Sequence, residues 1–247
     1  QITGVVGNDQ RWNRGGYNTI AAGRSDTGGT SVSPQRTLIK FDLTSIPKNA
    51  TIVSASLRLY CLSALNGATN SAVNAYPLLR SWSEGDSTSY VLNSASSWTY
   101  SSYPTTWGTP GAGNTTYDRS ATSMGSNAVG ACANTLYPWN LNATVVKNWV
   151  RYPLQNYGMV LVGAESLAAS NKFFASSEYA SVAYRPKLVV LYDVPAKDVN
   201  QKGELSTDAR VAEREADSVS EYFLEMLANL QVAMENFIRS IFSIFLK

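Results

Sequence analysis

Arg36-Thr-Leu-Ile-Lys-Phe-Asp-Leu-Thr-Ser-Ile-Pro47, followed by Ala50-Thr-Ile-Val-Ser-Ala-Ser-Leu-Arg-Leu-Tyr-Cys61, is the stretch whose reading decides the fold. In its second part Ala55, Leu57, Leu59 and Cys61 recur at every other position, the period of a strand with one face in a core. Arg58 and Tyr60 then fall on the opposite face. In its first part residues 37–43 read as another strand, with Arg36, Leu38 and Lys40 sharing one side. The turn between the two is Ile46-Pro-Lys-Asn-Ala50.

Working outward, Gly158-Met-Val-Leu-Val-Gly163, Lys172-Phe-Phe-Ala-Ser176 and Pro186-Lys-Leu-Val-Val-Leu-Tyr192 are further short apolar runs between Gly, Pro, Asn and Ser clusters. Asn142-Ala-Thr-Val-Val-Lys-Asn-Trp149 departs from the strand pattern. Asn142 is suited to capping a short helix there, with Val145, Val146 and Trp149 turned to the sheet. The expected fold is mainly β: a jelly-roll-like two-sheet sandwich with one short helix.

The order of motifs resembles the DNRLRE domain family. The Arg36–Pro47 and Ala50–Tyr60 segments resemble its core. Trp82-Ser-Glu-Gly85, Ser97-Trp-Thr99 and Thr106-Trp-Gly-Thr-Pro-Gly111 resemble the segment that follows, and the stretch from Trp139 to Trp149 resembles its helix. Asn156-Tyr-Gly158, Phe174-Ala-Ser-Ser-Glu178 and Arg185-Pro-Lys-Leu188 match its closing strands. The resemblance spans residues 1–194, with Asn142 standing where the family often has Thr. It implies a jelly-roll-like sandwich on a secreted or surface-attached protein. Some relatives are carbohydrate-binding modules for acidic polysaccharides such as alginate, so fold is implied more firmly than function.

Composition narrows the chemistry. The 247 residues include 20 Lys and Arg, 18 Asp and Glu, two Cys and no His, for a net charge of +2. Without His the commonest general base, metal ligand and partner of a Ser or Cys nucleophile are missing. Two Cys alone do not complete a structural zinc site, so no metal or cofactor is expected. The balance also lacks the basic excess of a nucleic-acid binder. Nine acids lie in residues 1–195, among them Asp42, Glu84 and Glu178, and they read as loop and strand-end hydrogen-bonding groups rather than a catalytic pair. No phosphate loop or nucleophile elbow is present, and the chain reads as a non-enzyme.

Gln1 in place of Met is read as a mature N-terminus after removal of a signal peptide, giving a secreted, extracellular or cell-surface protein. Cys61 shares the core face of its strand. A bridge to Cys132 and a buried free thiol are both open readings. N-x-Ser/Thr sequons begin at Asn49, Asn114 and Asn142.

Rings stack on sugar faces, and Arg or Lys pairs with uronate carboxylates. The candidate glycan-binding residues are therefore Arg11, Trp12, Arg14 and Tyr17, with Arg36, Lys40, Arg58 and Tyr60 on strands. The rival reading of the strand cations is a solvated outer face. The other Trp residues are expected mostly in packing roles, and the embedded Trp and Tyr of residues 86–133 argue that this long segment folds onto something.

Charge breaks sharply at Val194-Pro195-Ala196. Residues 1–195 carry 14 basic and nine acidic groups, a net +5; residues 196–247 carry six and nine, a net −3. Residues 195–205 read as a linker and 206–247 as a long C-terminal helix capped at Ser206 or Thr207. Val219, Phe223, Met226, Leu230, Ala233 and Phe237 form an apolar seam that Leu227, Met234, Ile238, Ile241 and Phe245 widen. Phe242, Ile244 and Leu246 make the tip apolar nearly all round: seven of the last eleven residues are large and apolar. Eleven helical residues span about 16 Å, roughly half a bilayer core, so no true membrane span is expected. Such an apolar tip docks, either back onto its own sandwich or onto another molecule, and the linker with the length of the helix favours the second. The sequence thus points to a secreted subunit that polymerises with itself through this tail into a filament or surface array, and alternatively to a module for an anionic polysaccharide whose C-terminal helix anchors it to a partner or a membrane surface.

Overall fold

A computed structural model describes residues 1–7, 13–26, 32–65, 70–85 and 95–195. The linker beyond Pro195, the helix expected over 206–247 with its assembly residues, and Arg11 and Trp12 lie outside the described residues.

Twelve strands are described: β1 Ile2–Val6, β2 Thr19–Asp26, β3 Val32–Ile39, β4 Thr51–Ala64, β5 Ser71–Pro77, β6 Tyr100–Ser102, β7 Thr105–Thr106, β8 Gly125–Val129, β9 Thr135–Leu141, β10 Met159–Val162, β11 Lys172–Ala175 and β12 Lys187–Asp193. Ten form one nearly closed antiparallel sheet; β6 and β7 form a small separate ribbon. Around the large sheet the order is β9, β4, β11, β2, β3, β10, β5, β8, with β12 also on β4 and β1 also on β3. β2 makes the turn of the wall, pairing with β11 through Thr19–Ala22 and with β3 from Gly23 onward. Where β8 meets β9 the ladder gives way to single bonds. Asn127 Nδ2 donates to the Pro138 carbonyl (2.6 Å) and the Asn142 N–H to the Met124 carbonyl (2.7 Å).

The long strand β4 keeps the predicted alternation. Ala55, Leu57, Leu59 and Cys61 are buried inside the wall, and the intervening positions face out. They meet Ile39, Val73, Ala75, Met159, Leu161 and Phe174 in one core. Trp139 of β9 crosses it: its ring lies edge-on to Phe174 (5.8 Å), and its Nε1–H donates to the Val73 carbonyl of β5 (2.7 Å). The one α-helix among the described residues, α1 (Ala143–Arg151), starts where Asn142 Oδ1 accepts the N–H groups of Thr144 (2.9 Å) and Val145 (3.4 Å). Val146, Trp149 and Val150 are its buried face.

Cys61 and Cys132 are joined in a disulfide, their Cα atoms 5.0 Å apart, which ties β4 to the loop between β8 and β9. Closing a loop of this length stabilises by about 4 kcal/mol on chain entropy.

The strand expected over 37–43 ends instead at Ile39. Beyond it, Asp42 accepts both the N–H (2.9 Å) and the hydroxyl (2.7 Å) of Thr44, a local turn that competes with the ladder. These hydrogen bonds, the backbone one first, hold the Asp42 carboxyl below the usual range.

Candidate functional site

The two outer faces of the wall differ. On the face of β1, β3, β10 and β5, Val5, Leu38 and Val160 are covered by Leu78, Trp82, Trp107 and Ala112 in a second apolar cluster. The segment from Ala95 to Ser120 folds back here. Trp107 Nε1–H donates to the Ser97 carbonyl (3.0 Å) and Trp82 Nε1–H to the Tyr157 carbonyl (2.8 Å). Fully buried Asp118 accepts the N–H groups of Gly108, Thr109 and Asn114 at 2.8–3.0 Å, with Arg80 Nη1 3.6 Å from its carboxylate. Loops of low propensity hold one shape when their backbone donors find such an acceptor.

Arg36 sits at the centre of this covered face. Its Nε and Nη2 donate to the two carboxylate oxygens of Glu165 (2.6 and 2.8 Å), and Nη1 donates to the Gly111 carbonyl (2.7 Å). The guanidinium also lies 5.0 Å from the Trp98 ring centre. Arg119 lies 4.2 Å over Tyr76, and burial, followed by the charge of Arg36, lowers its pKa. Arg36 is therefore committed to holding the covering segment. Glu165 lies 129 residues along the chain from Arg36 and in no motif, so nothing in the sequence announced the pair.

Arg14 packs over the Tyr17 ring (5.2 Å) against Gly4, and burial lowers its pKa. Lys40 follows the end of β3, its N–H bonded to the Gln1 carbonyl (2.8 Å). In the wall β3 and β4 are separated by β2 and β11, so Arg36 and Lys40 do not join Arg58 and Tyr60 on one face. The eight candidate residues thus do not converge: three positions stand apart, and Arg11 and Trp12 are outside the described residues.

The face of β9, β4 and β12 has no such cover among the described residues. Across its rows Leu136 stands beside Tyr60, Arg58 lies between Pro138 and Lys187, and Ser56 between Asn140 and Val189. The Tyr60 ring stacks flat on Tyr184 (3.8 Å between centres, 5° between planes), with Tyr179 6.0 Å beyond. A hydrogen bond with Tyr184 raises the Tyr60 phenol above its usual pKa. Stacking covers one side of Tyr60, leaving Tyr184 as the more exposed ring. Tyr184 escaped the sequence reading because it lies in a short 3-10 turn, Val182–Tyr184, with no alternation around it. Leu136, Val189 and Leu191 are 50%, 42% and 59% exposed on this same face.

Other features are quieter. Glu84 accepts the Ile2 N–H, so it serves a strand end. Lys172 is buried inside the wall, donating from Nζ to the Gly130 carbonyl (2.8 Å), and desolvation lowers its pKa. Among the described residues no helix is long and apolar enough to cross a membrane. Comparison of the sequence with known protein families and with curated proteins finds no match.

Proposed function

We propose that the chain is a secreted, non-catalytic structural subunit, a jelly-roll-like sandwich of the DNRLRE type, that assembles with copies of itself through its C-terminal segment into an extracellular filament or surface array. The observation that carries this reading is the contrast between the outer faces. One is covered by the chain's own residues 95–120. The other leaves Leu136, Val189 and Leu191 in solvent, an apolar surface of the kind that marks association. The Cys61–Cys132 bridge supports an oxidising compartment. Deleting residues 206–247 and following assembly by light scattering is the test. Loss of assembly is the expected result, and polymers unchanged by the deletion contradict the role of the segment.

A second reading, a module for an anionic polysaccharide, is favoured by Arg58 and Lys187 beside the Tyr60–Tyr184 stack. On that reading Arg58→Ala weakens retardation in polyuronate-containing gels, whereas Lys40→Ala, on a different face, does not. Equal mobility of the Arg58→Ala protein and the parent excludes that face as the glycan site.

A further inference from the structure

β12 ends the sheet, with β4 as its one ladder partner among the described residues. No backbone hydrogen bond of Lys187–Asp193 runs to another described element. Among the described residues no strand lies against its outer edge, a row of N–H and C=O groups suited to another strand. Natural edge strands are usually blunted by a bulge, by charges along the edge or pointing inward, or by a proline within the run. β12 has no proline within the run, and its charges, Lys187 and Asp193, sit only at its two ends. Its interior, Leu188 to Tyr192, carries no charge, and the register shift opposite Leu191 and Tyr192 is an extra residue in β4, not in β12.

The sequence of the strand is complementary to itself in the antiparallel sense. With a two-fold axis at Val190, Lys187 stands opposite Asp193 of a second copy, Leu188 opposite Tyr192, and Val189 opposite Leu191. Lys187, Val189, Leu191 and Asp193 are all exposed, while Leu188 and Val190 pack toward the core. The Lys187–Asp193 and Val189–Leu191 pairs thus fall on one continuous outer face, and the Leu188–Tyr192 pairs on the inner one. Each residue meets one of the same parity, so the backbone groups that point out of one sheet meet those that point out of the other. Pro186 and Pro195 flank the run and confine the ladder to it.

Charge gives a second argument. Lys187 pairs directly with Arg58 within its own sheet, a like-charge neighbour that disfavours the pair. An aspartate arriving on the other side of Lys187 relieves it. We infer that β12 is a homotypic docking edge: two copies join β12 to β12 antiparallel about Val190, extending the sheet across a two-fold interface. Such a contact is isologous and closes as a pair; combined with any second contact between copies it propagates. It stands on the edge strand alone and does not require the C-terminal segment.

The test uses the full chain as two populations, one carrying Val189→Cys and the other Leu191→Cys, mixed under mild oxidation. Both sites are exposed, so folding is preserved. The mixture is expected to give a covalent dimer about tenfold faster than either population alone, because Val189 faces Leu191 across the axis. Adding Lys187→Asp to both populations sets aspartates opposite each other and slows cross-linking about tenfold. Adding Lys187→Asp to one and Asp193→Lys to the other restores it. A mixture no faster than its components, or a rate indifferent to these charge exchanges, overturns the inference. If deletion of residues 206–247 leaves polymers unchanged while this cross-link still forms, the preceding reading fails and the β12 contact stands.

Discussion

Arg36 and Glu165 form a two-pronged ion pair, Nε to Oε1 at 2.6 Å and Nη2 to Oε2 at 2.8 Å, that fastens β3 to the loop after β10 beneath Trp98. Both side chains are largely shielded, so removing one partner strands the other. Arg36→Ala is expected to cost about 2–3 kcal/mol in urea unfolding, and Arg36→Lys to recover only part of it because an ammonium lacks the fork. A loss under about 0.5 kcal/mol would place the pair among ordinary surface bridges.

Gly111 serves the same fastening. At φ +73° it lies where a Cβ would stand 2.7 Å from the Trp98 ring, and its carbonyl receives Arg36. Gly111→Ala meets both strain and overlap. Its expected cost is about 2 kcal/mol, with increased protease cleavage within residues 95–120.

Trp139 supplies both volume and a hydrogen bond to the core. Trp139→Phe leaves the Val73 carbonyl without its donor and a gap beside Phe174; about 2–3 kcal/mol is expected, read from the urea midpoint with the slope unchanged.

Lys172 gives a pH signature. Its folded pKa lies below the unfolded value near 10.5, so the unfolded chain holds the proton over that interval. The parent therefore gains stability relative to Lys172→Met as pH rises from the folded pKa toward about 10.5. Difference curves of unfolding free energy against pH check the sign. A flat difference would show that the ammonium is not desolvated in the fold.

Strands whose faces differ were the legible ones. Residues 52–61 showed β4 because one side is core and the other solvent. β10 and β11 were visible as short apolar runs. β2, β5 and β9 carry no such signal. Gly23, Pro77 and Pro138 interrupt or end them, and their pairing partners lie far along the chain. Asn142 announced its helix because a cap is a local interaction. The burial of Arg36 under residues 95–120 was illegible for the opposite reason: the covering loop is held by Asp118 and Glu165, neither marked by periodicity. Cys61 was readable as a core position, and its bridge to Cys132 only from the fold.

Self-assembly is the property on which the proposed role depends most. Sedimentation velocity of the intact chain at neutral pH and modest ionic strength, with electron microscopy of the same sample, measures it directly. Species growing with concentration into filaments or arrays are the predicted result, and a single monomeric boundary at every concentration contradicts it.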